Sequence, residues 1–159
     1  MKDEKTSILI VDDNEGILET LSAILEEKGY RTDTAKTGME AIEKAKTNFY
    51  NVALLDIKLP DIEGTKLLIK IEENSPRMVK IMITGYPTLE NAVEALQGGA
   101  DDYVMKPVDP ENLIKKIEEK LKKQKEATIM TEEKIRGFIE TRTEKLLQEA
   151  RATTLEKTE

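Results

Sequence analysis

Three aspartates fall where a parallel α/β fold would bring them together. Asp12 and Asp13 follow the apolar run Ile8-Leu9-Ile10-Val11, and Asp56 ends the run Val52-Ala53-Leu54-Leu55. If both runs are strands of one parallel sheet, their ends share an edge, which is where such sheets bind ligands. Carboxylates gathered there repel and raise one another's pKa unless a cation compensates. The chain has no histidine and no cysteine, so the available donors are oxygens, which suit a hard divalent ion such as Mg2+. Thr84 ends the run from Val79 to Ile83, and Lys106 follows Tyr103-Val104-Met105. A hydroxyl and an ammonium converging on carboxylates and a cation would cradle a phosphoryl group, with a carboxylate as nucleophile. Singly, each residue has a plainer role: Asp13 or Asn14 caps a helix, Asp56 or Thr84 forms a turn, and Lys106 is a surface charge. Only their joint placement points to chemistry.

The elements that must position these residues are readable. The apolar runs are continuous rather than alternating, as in strands buried on both faces. Arg31-Thr32-Asp33-Thr34-Ala35 is more polar and reads as an edge strand. Between the strands, apolar residues recur at helical spacing: Ile17, Leu18, Leu21, Ile24 and Leu25; Met39, Ile42 and Ala45; Leu67, Leu68 and Ile71; Leu89, Ala92, Val93 and Leu96. Gly29 closes the first of these helices, Pro76 bounds the third and Gly98-Gly99 closes the fourth. Asp109-Pro110-Glu111 opens a fifth, striped by Leu113, Ile114, Ile117 and Leu121. Five βα units result, an α/β class fold with a parallel sheet. They occupy about residues 1–125. Residues 126–159 hold Ile129, Ile135, Phe138, Ile139, Leu146, Leu147 and Leu155 among charged residues and threonines, which predicts a second helix from about Thr131. The heptad seam there is weak, and Gly137 argues against an unbroken helix.

Composition excludes other classes. The 159 residues allow one well-buried domain and an appendage, and 38% hydrophobic with 36% charged residues fits a soluble globular chain. No segment is long enough to insert in a membrane, and the charged Met1-Lys2-Asp3-Glu4-Lys5 lacks a signal-peptide core, so a cytoplasmic location is expected. Without histidine there is no imidazole base or phosphohistidine carrier in this chain. A net charge of −7 argues against direct nucleic acid binding. The lysines at 115, 116, 120, 122, 123 and 125 are interleaved with Glu118 and Glu119 and read as a solvated helix face.

At this point the residues resemble a known family, the receiver domain of two-component response regulators. The match runs over about residues 5–125: Val11-Asp12-Asp13-Asn14-Glu15, Asp56-Ile57-Lys58-Leu59-Pro60-Asp61-Ile62-Glu63-Gly64, Thr84-Gly85-Tyr86, Gly98-Gly99-Ala100-Asp101-Asp102-Tyr103, and Lys106-Pro107. The resemblance implies a doubly wound sheet of strand order 2-1-3-4-5 with five helices. It implies that Asp56 accepts a phosphoryl group from a histidine kinase, a phosphotransfer protein or a small phosphodonor. Asp13, Asp56 and the backbone carbonyl of Lys58 would hold Mg2+, with Asp12 acting through water. Thr84 and Lys106 would bind phosphoryl oxygens, the Lys106-Pro107 peptide would be cis, and Tyr103 would rotate inward as Thr84 moves. Lys58 and Tyr86 sit where the family tunes phosphoryl lifetime. The readout surface would include Ala92, Val93, Leu96, Tyr103 and Val104.

Three readings compete. The first is a phosphorylatable regulator acting on a downstream protein partner. The second is an assembly or scaffold module that uses the receiver fold and whose C-terminal helix pairs with itself, as a homodimer, or with a partner. The third, an aspartyl-phosphate hydrolase, would call for a second acid two residues after the nucleophile, and that residue is Lys58. No enzyme with a separate substrate is therefore expected, only phosphorylation and dephosphorylation of Asp56 itself. The 126–159 segment is a dimerising helix, a partner-binding helix or a linker.

Overall fold

The computed structural model describes the backbone of residues 5–85 and 87–158, with side chains as far as Thr154. The extreme N-terminus, Tyr86 and the Leu155 side chain, all used in the sequence reading, lie outside the described residues. Strands and helices alternate: β1 Ser7–Val11, α1 Glu15–Glu27, β2 Arg31–Ala35, α2 Gly38–Thr47, β3 Val52–Asp56, α3 Gly64–Asn74, β4 Val79–Thr84, α4 Leu89–Gln97, β5 Asp102–Met105 and α5 Pro110–Thr158. The five strands are all parallel in the order β2-β1-β3-β4-β5. This is the expected doubly wound sheet, with the polar β2 at one edge.

The pleat sorts the apolar runs onto two faces. Ile8, Ile10, Val52, Leu54, Ile81, Ile83 and Val104 pack with Leu18, Leu21 and Leu25 of α1 and with Leu113, Ile114 and Ile117 of α5. Leu9, Val11, Ala53, Leu55 and Met82 pack with Ala41 and Ile42 of α2, Leu67, Leu68 and Ile71 of α3, and Ala95 of α4. A continuous apolar run supplies both faces at once, which a half-exposed strand could not do.

Helix ends follow local chemistry. Asn14, Thr37 and Thr88 cap α1, α2 and α4 by accepting from the third residue onward. Gly29 at φ 92° and Gly99 at φ 104° take left-handed conformations just past α1 and α4. Asp109 caps the start of α5 through Glu111 N–H at 3.3 Å and Leu113 N–H at 3.0 Å.

The chain divides into two compact units, residues 1–121 and 122–159. In the second unit the expected helix start near Thr131 is corrected: α5 is one element from Pro110 to Thr158. Lys122 to Ala127 are good helix formers with neither proline nor capping signal, so nothing ends the helix there. Gly137 costs about 1 kcal/mol relative to alanine, too little to break it. Ile129, Met130, Ile135, Phe138, Ile139, Leu146 and Leu147 are exposed. No described helix is long and apolar enough to cross a membrane.

Candidate functional site

The ends of β1, β3, β4 and β5 deliver the polar side chains to one edge. Asp12 and Asp13 leave β1 where the chain turns into α1, and Asp56 is the last residue of β3. The register sets their heights: Val11 pairs with Leu55, so Asp12 lies level with Asp56. Carboxylate oxygens of Asp12, Asp13 and Asp56 lie within 4.8 Å of one another. Asp12 and Asp56 are buried, while Asp13 is exposed.

Lys106 closes the cluster. Its Nζ donates to Asp12 Oδ2 at 2.9 Å and lies 3.5 Å from Asp56 Oδ1. It is brought there by the end of β5, where Lys106 N–H donates to Thr84 C=O at 2.7 Å and the Lys106-Pro107 peptide is cis. Thr84 ends β4 and is buried, with 2% of its surface exposed. Backbone donors add to the acids: Asn14 N–H reaches Asp12 Oδ1 at 2.9 Å, and Lys58 N–H reaches Asp56 Oδ1 at 3.4 Å.

The electrostatics follow from burial and crowding. Burial, reinforced by the charge of Asp12, pushes the Asp56 carboxyl up, against the pull of Lys106 and of the Lys58 N–H. Burial works against the charge on Lys106, but its hydrogen bond to Asp12 and the charge of Asp56 outweigh it and hold the ammonium above its ordinary value. Among the described residues the Lys106 ammonium contacts two of the three clustered carboxylates, and the side-chain donors of the cluster are oxygens. That donor set fits a hard divalent cation.

The structure thus brings together Asp12, Asp13, Asp56, Lys58 and Lys106, with Thr84 at the adjoining strand end. Tyr103 is half-buried on β5 against the core on the α2–α4 side, and its hydroxyl is buried with no hydrogen-bond partner among the described residues. Of the surface expected on α4 and β5, Val93 and Leu96 are exposed but Val104 is core, 3% exposed, because the pleat turns it toward α5. Leu89 and Met105 are exposed apolar residues of these elements that the expected surface does not include.

Sequence reasoning also missed what holds the loop after Asp56. A Cβ on Gly64 would lie 2.3 Å from Asp56 C=O oxygen and 2.5 Å from Ile57 Cα, so only glycine lets α3 begin against the acceptor strand. Gly64 N–H donates to Ile57 C=O at 2.7 Å, and an antiparallel bridge pairs Lys58 with Glu63. The signal was available as a lone glycine at a helix start directly after a short loop.

Comparisons with known proteins agree with this geometry. The family model described as the response regulator receiver domain matches residues 8–118. A receiver domain protein from Methanospirillum hungatei, described as CheY-like, superposes with a TM-score of 0.76 at 50% identity, covering 78% of this chain and 99% of that one. A response regulator from Burkholderia pseudomallei, solved with a phosphorylated aspartic acid, a calcium ion and citrate, gives 0.70 at 26% identity, covering 79% and 74%. Among curated proteins, the transcriptional regulatory protein ZraR of Klebsiella oxytoca is 35% identical over 121 residues, 76% of this chain. The chain spans 27% to 50% of the length of the first such relatives. Aspartate phosphorylation is general in this family, and the chain belongs to it: it carries a response regulator receiver domain of two-component systems.

Proposed function

We propose that Asp56 is the phosphoacceptor of this receiver and that the chain passes the resulting change to a protein partner. The observation that carries this reading is the cluster itself: three carboxylates within 4.8 Å, two of them bridged by one lysine. Structural ion pairs do not need a third acid. In the transfer, an Asp56 oxygen attacks phosphorus, the bond from phosphorus to the donor's leaving atom breaks, and its electron pair leaves with the donor. The donor is a kinase phosphohistidine or an acyl phosphate. Asp56 must be ionised to attack, and its raised pKa makes the compensating charge of Lys106 part of the chemistry.

Asp13, Asp56 and the backbone carbonyl of Lys58 are the residues that would hold Mg2+, with Asp12 acting through water. The bound ion would screen the charge of the incoming phosphoryl oxygens. Lys106 would exchange part of its contact with Asp56 for a phosphoryl oxygen, and the Thr84 hydroxyl would donate to another. The phosphorylated aspartic acid in the Burkholderia pseudomallei relative supports the assignment by analogy. Tyr103 is the switch in this reading: a buried hydroxyl without a partner among the described residues costs free energy, so the ring gains by changing position when Thr84 does. The output face is the exposed apolar set Leu89, Val93, Leu96 and Met105.

The receiver would occupy residues 1–125, with residues 126–159 acting as a dimerising or partner-binding element. The second reading, an assembly module, is favoured by one observation: seven large apolar residues stand exposed on the helix between Ile129 and Leu147. The two readings part on one experiment. Acetyl phosphate with Mg2+ should add one phosphoryl group, measured by intact mass, and Asp56→Asn should abolish the addition. An unmodified wild-type chain would leave the assembly reading in its place.

A further inference from the structure

The loop after Asp56 is fastened at its tip as well as at its base. Asp61 accepts hydrogen bonds from the backbone N–H groups of Gly38 at 2.8 Å and Met39 at 2.9 Å, the first two residues of α2. These are groups that a helix cannot satisfy internally. Thr37 already caps α2 through Glu40 N–H at 3.1 Å and accepts from Ala41 N–H at its carbonyl. The Asp61 carboxylate therefore completes the first turn of α2 from a different segment of chain. The two N–H bonds hold its carboxyl below the usual carboxylate range. Packing repeats the same contact: a Cβ on Gly38 would lie 2.0 Å from Ile62 Cγ2 and 3.4 Å from Asp61 Oδ1. Glycine at the start of α2 is what lets the loop tip sit against the helix.

Lys58 belongs to the base of this loop, three residues before the Asp61 contact at its tip. At the base, Gly64 N–H meets Ile57 C=O and Lys58 pairs with Glu63. At the tip, Asp61 and Ile62 rest on α2. We propose that Asp61 is a positioning residue: by binding the N-terminus of α2 it fixes the loop that presents the Lys58 carbonyl, and so sets the affinity of the aspartate site for a divalent cation. This rests on the reading of Asp12, Asp13, Asp56 and Lys58 as that site.

The test is a Mg2+ titration of the full chain, followed calorimetrically without any phosphodonor, alongside the thermal midpoint. Groups that orient ligands from one step away typically change metal affinity by about 10-fold or more when removed. Asp61→Ala should raise the Mg2+ dissociation constant by about 10-fold, and Asp61→Asn, which keeps one acceptor oxygen, should fall between it and wild type. Gly38→Ala, whose Cβ would displace Ile62 and meet Asp61 Oδ1 while leaving Asp12, Asp13, Asp56 and Lys58 unaltered, should weaken Mg2+ in the same direction. If the variants melt earlier but bind Mg2+ with wild-type affinity, Asp61 only stabilises the fold and the proposal is overturned. Should the wild-type chain itself bind no Mg2+, the reading of the site fails first and takes this inference with it.

Discussion

Gly64→Ala sets two known effects against each other. At the first position of α3, alanine should favour the helix by roughly 0.5 to 1 kcal/mol over glycine. Against this, its Cβ would lie 2.3 Å from Asp56 O, 2.5 Å from Ile57 Cα and 2.9 Å from Ile57 O. The nearest of these is about 1 Å inside ordinary van der Waals contact. All three atoms are backbone, so no side chain can rotate away, and either α3 or the strand end must move. Overpacking of this kind costs typically about 1 to 3 kcal/mol, and here the upper part of that range applies because the obstacle is rigid. The net loss should be about 2 kcal/mol, or a fall in Tm of roughly 8 °C for a domain of this size. Function should suffer more than stability. A shift of about 1 Å at the reacting group can cost on the order of 100-fold in rate, so phosphorylation by acetyl phosphate should slow by about that factor well below the melting temperature. The control is Gly137→Ala, where a Cβ meets nothing within 4 Å. It should raise helicity and leave the phosphorylation rate alone. A Gly64→Ala protein with wild-type Tm and wild-type rate would refute the idea that the α3 start is wedged against the acceptor.

Other outcomes follow from ionisable groups elsewhere in the fold and from Asp56 itself. Lys80 is buried, paired with Glu72 and donating to Met78 C=O at 2.6 Å. Glu72→Ala should cost about 3 kcal/mol by leaving that ammonium uncompensated, whereas Lys80→Met should change stability by less than about 1 kcal/mol, because Glu72 can turn to water; denaturant unfolding would decide, and equal losses would count against the asymmetry. Asp33 gives a pH signature. Burial opposes its ionisation, but hydrogen bonds from Tyr50 at 2.5 Å, Lys44 at 2.9 Å and Thr34 N–H at 2.9 Å hold its carboxyl below the ordinary range. A carboxylate depressed in the folded state contributes stability above its unfolded pKa and loses it as pH falls through the folded one. Asp33→Asn should therefore lower stability at neutral pH and flatten the acid limb of the Tm profile; an unchanged acid limb would remove Asp33 from the account. Asp56 has the opposite sign, since its folded pKa is raised. Without a divalent ion, Asp56→Asn should raise the Tm at neutral pH, with the gain vanishing in acid where both states are protonated.

What the sequence disclosed was whatever depends on short-range pattern. Strand ends follow from apolar runs, so Asp12, Asp13, Asp56, Thr84 and Lys106 could be assigned to one edge before any coordinates. The polar Arg31–Ala35 strand is at the sheet edge for the same reason. Less legible was anything that depends on which face or which distant segment a residue meets. Val104 enters the expected surface only through the family resemblance, whereas the continuous apolar run Tyr103-Val104-Met105 by itself reads as a buried strand, and the pairing with β4 turns Val104 inward. The run from Val79 to Ile83 reads as apolar although Lys80 sits inside it. A charge within a buried run signals a partner on another element, but nothing in the sequence says that the partner is Glu72. Asp61 capping α2 is likewise invisible to capping rules, which look a few residues ahead, while Gly38 lies 23 positions away. In α5, rules for ending helices weighed Gly137 against a stretch of good helix formers, and the glycine penalty is the smaller term.

Asp56, among the clustered acids, is the residue proposed to carry the phosphoryl group. An acyl phosphate is reduced by borohydride to the alcohol, so treating the phosphorylated chain converts the modified aspartate to homoserine, which peptide mass spectrometry can locate. Homoserine is expected at position 56 and at neither 12 nor 13. Homoserine at another aspartate, or a phosphorylated chain that yields none, would contradict that assignment.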